Sequence, residues 1–421
     1  MKSCLEHSES RAADFKKPGP ADAPAWRRII SFWLVTRVGL SLWALFCSAS
    51  LPHSQLEKQV AVWPPSAPFG AWLTRVFLEP WNRWDVEHFL KIAERGYRAE
   101  DGTSSFHPLY PLLGKLAGLL TGGNELLGLF IVSNICTILF LISLERLAAF
   151  DLPKRAAQRT SFYFLMLPSA FILFAPYTES LFLLCSTLCL ISAREDRWFL
   201  AGVTGGLAVL TRQQGIFLLL PLVCEFLQSS GGIRQFAKVG WASWRKALNL
   251  LLIPSALLAW LIFRAVALSD VSVDWQKPQS LIYGLLISQS ANAVVPNQSF
   301  VPPWQALLIA IKSFNTTNAI DLLGGSFYAL VLGLGARRLW RMRVSYLLYA
   351  VVVTIVSFSY STGTPWAYMG LPKHCLLAIP LVFLLAEWGA RQSVHLIVSV
   401  AGALWLLVLT AFYTFHLSWL P

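Results

Sequence analysis

Asp85 and His88 are the residues whose type and spacing suit acid–base chemistry. They lie in the run Trp81-Asn82-Arg83-Trp84-Asp85-Val86-Glu87-His88-Phe89-Leu90-Lys91-Ile92-Ala93, which packs acid, imidazole, guanidinium and indole groups into an otherwise largely apolar chain. At about 100° per residue, a helix over 81–98 puts Trp81, Asp85, His88, Phe89, Ile92 and Gly96 on one side and Arg83, Glu87, Lys91, Glu94 and Arg98 on the other. A carboxylate on an apolar face is desolvated, which raises its pKa and suits a general base that takes a proton from an attacking hydroxyl. Asp85 is the expected base; the alternative is an ion pair with Arg83 or Arg37 that holds the segment on the bundle. His88, one turn on, could orient Asp85, bind a substrate hydroxyl, or be a structural histidine. Glu87 has Lys91 as its i,i+4 partner and reads first as a surface charge, though it stays with Arg83 and Trp84 among the candidate substrate contacts.

Other polar groups interrupt apolar sequence further along. Arg212 with Gln213 and Gln214 falls at the end of an apolar run, where it offers donors to a phosphate or simply snorkels while the glutamines cap the helix. Lys373 starts another run and could bind phosphate or anchor the interface. Glu179 follows Pro176 in a short turn, placed to favour a helix N-terminus or to reach substrate. Arg37, inside the first run, could counter Asp85 or a lipid phosphate. A stretch over 269–318, with Trp275, Gln276, Lys277, Asn292, Asn297 and Trp304, has the indoles and amides that suit a sugar or an acceptor. Trp405 and Trp419 read as interfacial belt residues.

The elements that must position these groups are membrane helices. With 421 residues, 56% hydrophobic and 13% charged, and a mean hydropathy of +0.56, the chain reads as an all-α polytopic membrane protein. Apolar runs near 29–51, 125–150, 160–175, 178–193, 198–211, 216–228, 247–268, 319–336, 344–359, 371–388 and 394–416 predict about eleven helices. Residues 1–27 read as a disordered tail, and 28–421 as a single membrane domain with external loops at 52–105 and 269–318. The 29–51 run is too long for a signal-peptide core and is expected to stay as an anchor.

The net charge of +12 sits largely in alternate connections: Lys154, Arg155 and Arg159; Arg194 and Arg197; Arg234, Lys238, Arg245 and Lys246; Arg337, Arg338, Arg341 and Arg343. This is a topology signal rather than a nucleic-acid footprint, and it puts 52–105 outside the cytoplasm. Cys4, Cys47, Cys136, Cys185, Cys189, Cys224 and Cys375 show neither disulfide nor zinc spacing. No P-loop, dinucleotide fingerprint or connection large enough for a nucleotide-sugar domain is visible, so a sugar donor is expected to be lipid-borne. No external D-x-D pair is visible either, and neither metal nor other cofactor is expected.

The stretch from Trp84 through Tyr97, W-D-x-E-H-F-L-x-I-A-x-x-G-Y, followed by Phe106-His107-Pro108-Leu109-Tyr110-Pro111, resembles the signature of the second GPI mannosyltransferase family (PIG-V) and its bacterial relatives. Ala175-Pro176-Tyr177-Thr178-Glu179-Ser180, Leu210-Thr211-Arg212-Gln213-Gln214-Gly215 and Leu371-Pro372-Lys373 resemble later family blocks in the same order, so the likeness spans roughly 29–390. It implies a GT-C fold, an essential acid in the first external loop, here Asp85, and a sugar donor on dolichyl or another polyprenyl phosphate. The expected partners are that donor, membrane lipids and a glycolipid or glycan acceptor. A eukaryotic source would imply a GPI precursor in the endoplasmic reticulum membrane, a bacterial one an envelope glycoconjugate at the plasma membrane. Two departures stand out: His107 replaces a common aromatic residue, and Lys373-His374 replaces an Arg followed by an aromatic residue, which keeps the charge but loses the bidentate fork. A transporter or lipid flippase is the alternative, but such proteins place their polar groups near the bilayer midplane in repeated halves.

Overall fold

The computed structural model describes residues 25–50, 77–98, 100–230, 241–268 and 299–414. The expectations for residues 1–24, for 51–76, and for Cys4, Arg234, Lys238, Trp275, Gln276, Lys277, Asn292, Asn297 and Trp419 lie outside these. The described chain is almost wholly helical, with one short antiparallel pairing of Ser299–Phe300 with Tyr360–Ser361.

Among the described residues, five helices are long and apolar enough to cross a membrane: Ala25–Cys47, Glu125–Ala148, Trp244–Ala267, Thr316–Met342 and Gln392–Thr414. Large apolar side chains such as Val35, Leu120, Val266, Leu334 and Ile397 are exposed on the bundle's outside, the arrangement that hydrocarbon rather than water rewards. Local sequence starts these helices in identifiable ways. The Asn124 side chain accepts the Leu127 N–H at 2.9 Å, and Asn315 accepts the Asn318 N–H at 2.9 Å, each satisfying an otherwise orphaned donor.

Several apolar runs are not single spans. The 160–175 run is a helix, Lys154–Leu165, followed by a 3-10 turn at Ala170–Phe174, broken where Pro168 precedes Ser169 at φ 68. The 216–228 run is a 3-10 turn, Gln213–Leu218, leading into Leu219–Ser229. The 371–388 run splits into Leu371–Cys375 and Leu381–Trp388 around Pro380. In the other direction, Leu109–Leu120 is an apolar helix that hydropathy did not single out. It packs on Glu125–Ala148 through glycines: a Cβ on Gly128 would lie 2.2 Å from the Gly114 carbonyl oxygen.

One group of ion pairs gathers at one end of the bundle. Asp151 takes Arg194 at 2.5 Å, Asp196 takes Lys246 at 2.5 Å, and Arg343 approaches Glu225 at 3.3 Å. Arg194 closes the C-terminus of helix Glu179–Arg194, whose 16 residues put Glu179 about 24 Å away at roughly 1.5 Å per residue. Asp85 and its neighbours cluster at that far end. The six described cysteines are free.

Candidate active site

The segment over 79–95 is a 3-10 turn at Glu79–Trp81 and a helix at Val86–Arg95, rather than one helix from 81 to 98. Val86, Phe89, Leu90, Ile92 and Ala93 bury one face of that helix, and Gly96 at φ 79 ends it. Glu87 pairs with Lys91 on the more open face. Trp84 sits at φ 57, a left-handed conformation that costs a bulky residue about 1–3 kcal/mol and turns the chain directly before Asp85.

Asp85 occupies the N-cap position, yet its carboxylate makes no cap hydrogen bond to its own helix. It faces Lys373 instead, Oδ2 to Nζ at 3.4 Å. The Lys373 side chain is 5% exposed and that of Asp85 29%, so the acid opens to solvent while the amine is enclosed. The ammonium also lies 5.3 Å from the centroid of the Tyr177 ring. Two buried tyrosines grip the backbone beside the acid. Tyr177 donates to the Arg83 carbonyl at 3.2 Å, and Tyr413 donates to the Trp81 carbonyl at 2.9 Å.

The alternatives expected for Asp85 are thereby corrected. Arg37 donates to the Phe174 carbonyl at 2.5 Å and to the Phe77 carbonyl at 2.9 Å, with the Trp81 ring 5.2 Å away, so it ties the entry of the segment to the bundle rather than countering Asp85. Arg83 folds back on the Glu79 carbonyl at 2.8 Å and the Asn82 carbonyl at 3.1 Å. His88 stacks on Phe106 with centroids 4.9 Å apart and makes no hydrogen bond to Asp85, so the proposed orienting contact is absent. Burial pushes the His88 imidazole below its ordinary value although Asp85 and Glu87 favour its charged form, leaving it a neutral ring at pH 7.

Arg212 is neither snorkelling nor idle. It meets the fully buried Glu179 at 2.5 Å and donates to the Thr178 hydroxyl at 2.8 Å. Glu179 does open its helix, but its carboxylate makes this pair rather than a cap. Gln213 begins the 3-10 turn that follows. His107 is buried with its ring tilted against Trp260, centroids 5.6 Å apart, so it does the packing of an aromatic residue. Burial, offset in part by the Val209 carbonyl, pulls its pKa down to about 3. Trp304 is exposed on helix Pro303–Lys312.

Sequence reasoning passed over Tyr177 and Tyr413 as site residues, and also Asp321 and Arg264. The last two are buried ionisable groups within apolar helices, a cost that marks any such residue for attention and could have found both. Tyr413 carries no such signal among the many aromatics of the chain. Among the described residues, no group of three or more His, Cys, Asp or Glu side chains is placed to hold a metal ion.

What the arrangement offers is a partly exposed carboxylate, an enclosed amine beside it, and a hydrogen-bonded frame around both. The family model described as Mannosyltransferase (PIG-V) matches residues 27–229. GPI alpha-1,6-mannosyltransferase 2 of Rattus norvegicus is 30% identical over 207 residues, 46% of this chain and 41% of that protein. GPI mannosyltransferase 2 of Cryptococcus neoformans var. neoformans serotype D is 30% identical over 157 residues, 34% of this chain and 36% of that protein. The match therefore spans less than half the length of either relative. Among solved structures, ArnT from Cupriavidus metallidurans bound to undecaprenyl phosphate is similar with a TM-score of 0.46 at 16% identity, covering 88% of this chain and 64% of that one. The archaeal oligosaccharyltransferase AglB from Archaeoglobus fulgidus gives a TM-score of 0.43 at 15% identity, over 92% of this chain and 56% of that one. The matched segment contains Asp85, His107, Glu179 and Arg212, and over that segment the chain is similar to the PIG-V mannosyltransferase family.

Proposed function

We propose that this protein is a multi-pass membrane mannosyltransferase of the GT-C kind, moving a hexose from a polyprenyl-phosphate donor to a lipid-linked or membrane-associated acceptor on the extracytoplasmic or lumenal side. The observation that carries the reading is the meeting of Asp85 with Lys373 at 3.4 Å at the start of the family's first motif. Asp85 accepts the acceptor hydroxyl's proton as that oxygen attacks the anomeric carbon from the face opposite the phosphate. The bond from the anomeric carbon to the phosphate oxygen breaks, the configuration inverts, and the polyprenyl phosphate departs with both electrons. Lys373 stands where it can leave Asp85 for the phosphate, which frees the base and meets the growing charge. A lipid phosphate leaves without being protonated, so a second catalytic acid is not required.

This division of labour assigns Glu179 and Arg212 to the frame, as each satisfies the other. The test is transfer of label from polyprenyl-phosphate mannose into the lipid fraction by membranes holding wild-type protein, against membranes lacking it. Label that depends on the protein supports the donor and the sugar. Its absence with this donor and with other polyprenyl-phosphate hexoses would contradict the reading and favour lipid movement without transfer.

A further inference from the structure

Lys373 reaches Asp85 across 288 residues of chain from a helix of five residues, Leu371–Cys375, which is too short to hold its own place by propensity. One face of the long helix Thr316–Met342 holds it there. Asn318, Asp321, Gly324 and Gly325 stand at helical spacing i, i+3, i+6 and i+7 and so share that face.

Asp321 is fully buried, and its Oδ1 accepts the Leu371 N–H at 2.8 Å. Asn318 binds the chain just upstream, accepting the Ala367 N–H at 3.0 Å and donating to the Pro365 carbonyl at 3.0 Å. One turn further along, a Cβ on Gly324 would fall 2.3 Å from Pro372 Cγ, and one on Gly325 2.5 Å from Leu371 Cδ2. The Leu371-Pro372-Lys373 turn thus lies directly on helix backbone, and Gly370 at φ 78 supplies the bend that feeds it. A carboxylate accepting a backbone N–H at a helix start is a strong, directional anchor.

We infer that Asp321 is the positioning residue for Lys373: by holding the Leu371 amide on a platform completed by Asn318, Gly324 and Gly325, it sets where the Lys373 amine meets Asp85. The inference deepens the reading of Asp85 and Lys373 as the working pair. It is tested without any sugar transfer.

A carbodiimide added to the full-length protein in detergent converts the Asp85 carboxylate to an O-acylisourea. The Lys373 amine displaces it to form an amide and release the urea, and the cross-linked peptide is counted by mass spectrometry. Wild-type protein gives the cross-link, and Asp321→Ala lowers its yield about tenfold per folded molecule. Asp321→Asn keeps an acceptor oxygen and retains most of the yield. An unchanged yield in folded Asp321→Ala overturns the inference, as does absence of the cross-link from wild-type protein. If Asp321→Ala does not fold, Gly324→Ala decides: displacing Pro372 must lower coupling, and unchanged coupling overturns the platform. Loss of coupling in these variants with no mannosyl transfer by wild-type protein would sink the transferase reading and leave this one standing.

Discussion

Two ion pairs build the site, and they are made differently. Glu179 and Arg212 meet at 2.5 Å with the acid fully buried, the Arg side chain 13% exposed and Thr178 adding a further contact. Asp85 and Lys373 stand 3.4 Å apart with the acid partly open. A guanidinium whose Nη1 meets both a desolvated carboxylate and a buried hydroxyl is a strut, since separating the pair would leave a bare charge in an apolar interior. A point-charge ammonium loosely facing an accessible carboxylate can change partners. On the proposed function, the first pair is structural and the second does the chemistry.

Breaking the strut has the largest expected effect on the fold. Glu179→Gln leaves Arg212 without its partner and costs about 3–5 kcal/mol, so folded protein recovered by fluorescence-detected size exclusion should collapse. A fully stable Glu179→Gln that loses only transfer would reverse the two roles. Lys373→Met should lower mannosyl transfer about a hundredfold per folded molecule while leaving thermal stability nearly unchanged, and Lys373→Arg should restore part of it. A collapse of folded Lys373→Met protein would make this pair a strut as well.

Smaller effects sharpen the contrast. His107 has a pKa of about 3 when folded against an ordinary 6.5, so between these values the unfolded chain binds more protons than the native one. Stability contributed at neutral pH is therefore lost as pH falls from about 6.5 toward 3, and levels off below that. His107→Phe should keep the packing on Trp260 and flatten this part of the pH dependence of the thermal midpoint. An unaltered slope would assign the acid sensitivity elsewhere. Glu87→Gln removes only the partly exposed partner of Lys91, and should change stability by less than about 0.5 kcal/mol and transfer not at all. A large loss of transfer in Glu87→Gln would move the working acid two residues along.

The residues of the site were more legible than their pairing. Asp85, Lys373, Glu179 and Arg212 announced themselves as ionisable groups beside apolar sequence, because burying charge is costly wherever it happens. Which acid meets which base was hidden, since Lys373 is far away in sequence and is delivered by contacts from a third segment. Periodicity likewise found the long helices but merged broken ones, because Pro168 and Pro380 interrupt backbone geometry without interrupting hydropathy. Leu109–Leu120 went unmarked among the apolar runs, and its glycines find their reason in its close fit on Glu125–Ala148. The amphipathic pattern around Asp85 found the Glu87–Lys91 stripe and the buried Phe89 and Ile92 but missed Val86, Leu90 and Ala93 and the start of the helix, because the left-handed turn at Trp84 leaves no trace in side-chain spacing.

The central claim is that the carboxylate of Asp85 takes the proton. The measurement that tests it most directly is the initial rate of mannosyl transfer from polyprenyl-phosphate mannose by Asp85→Asn, per molecule of folded protein, against wild type. Asparagine keeps the shape and cannot accept the proton, so the rate should fall by about 10²–10⁴ with folded abundance unchanged. A folded Asp85→Asn that transfers at the wild-type rate would contradict the account.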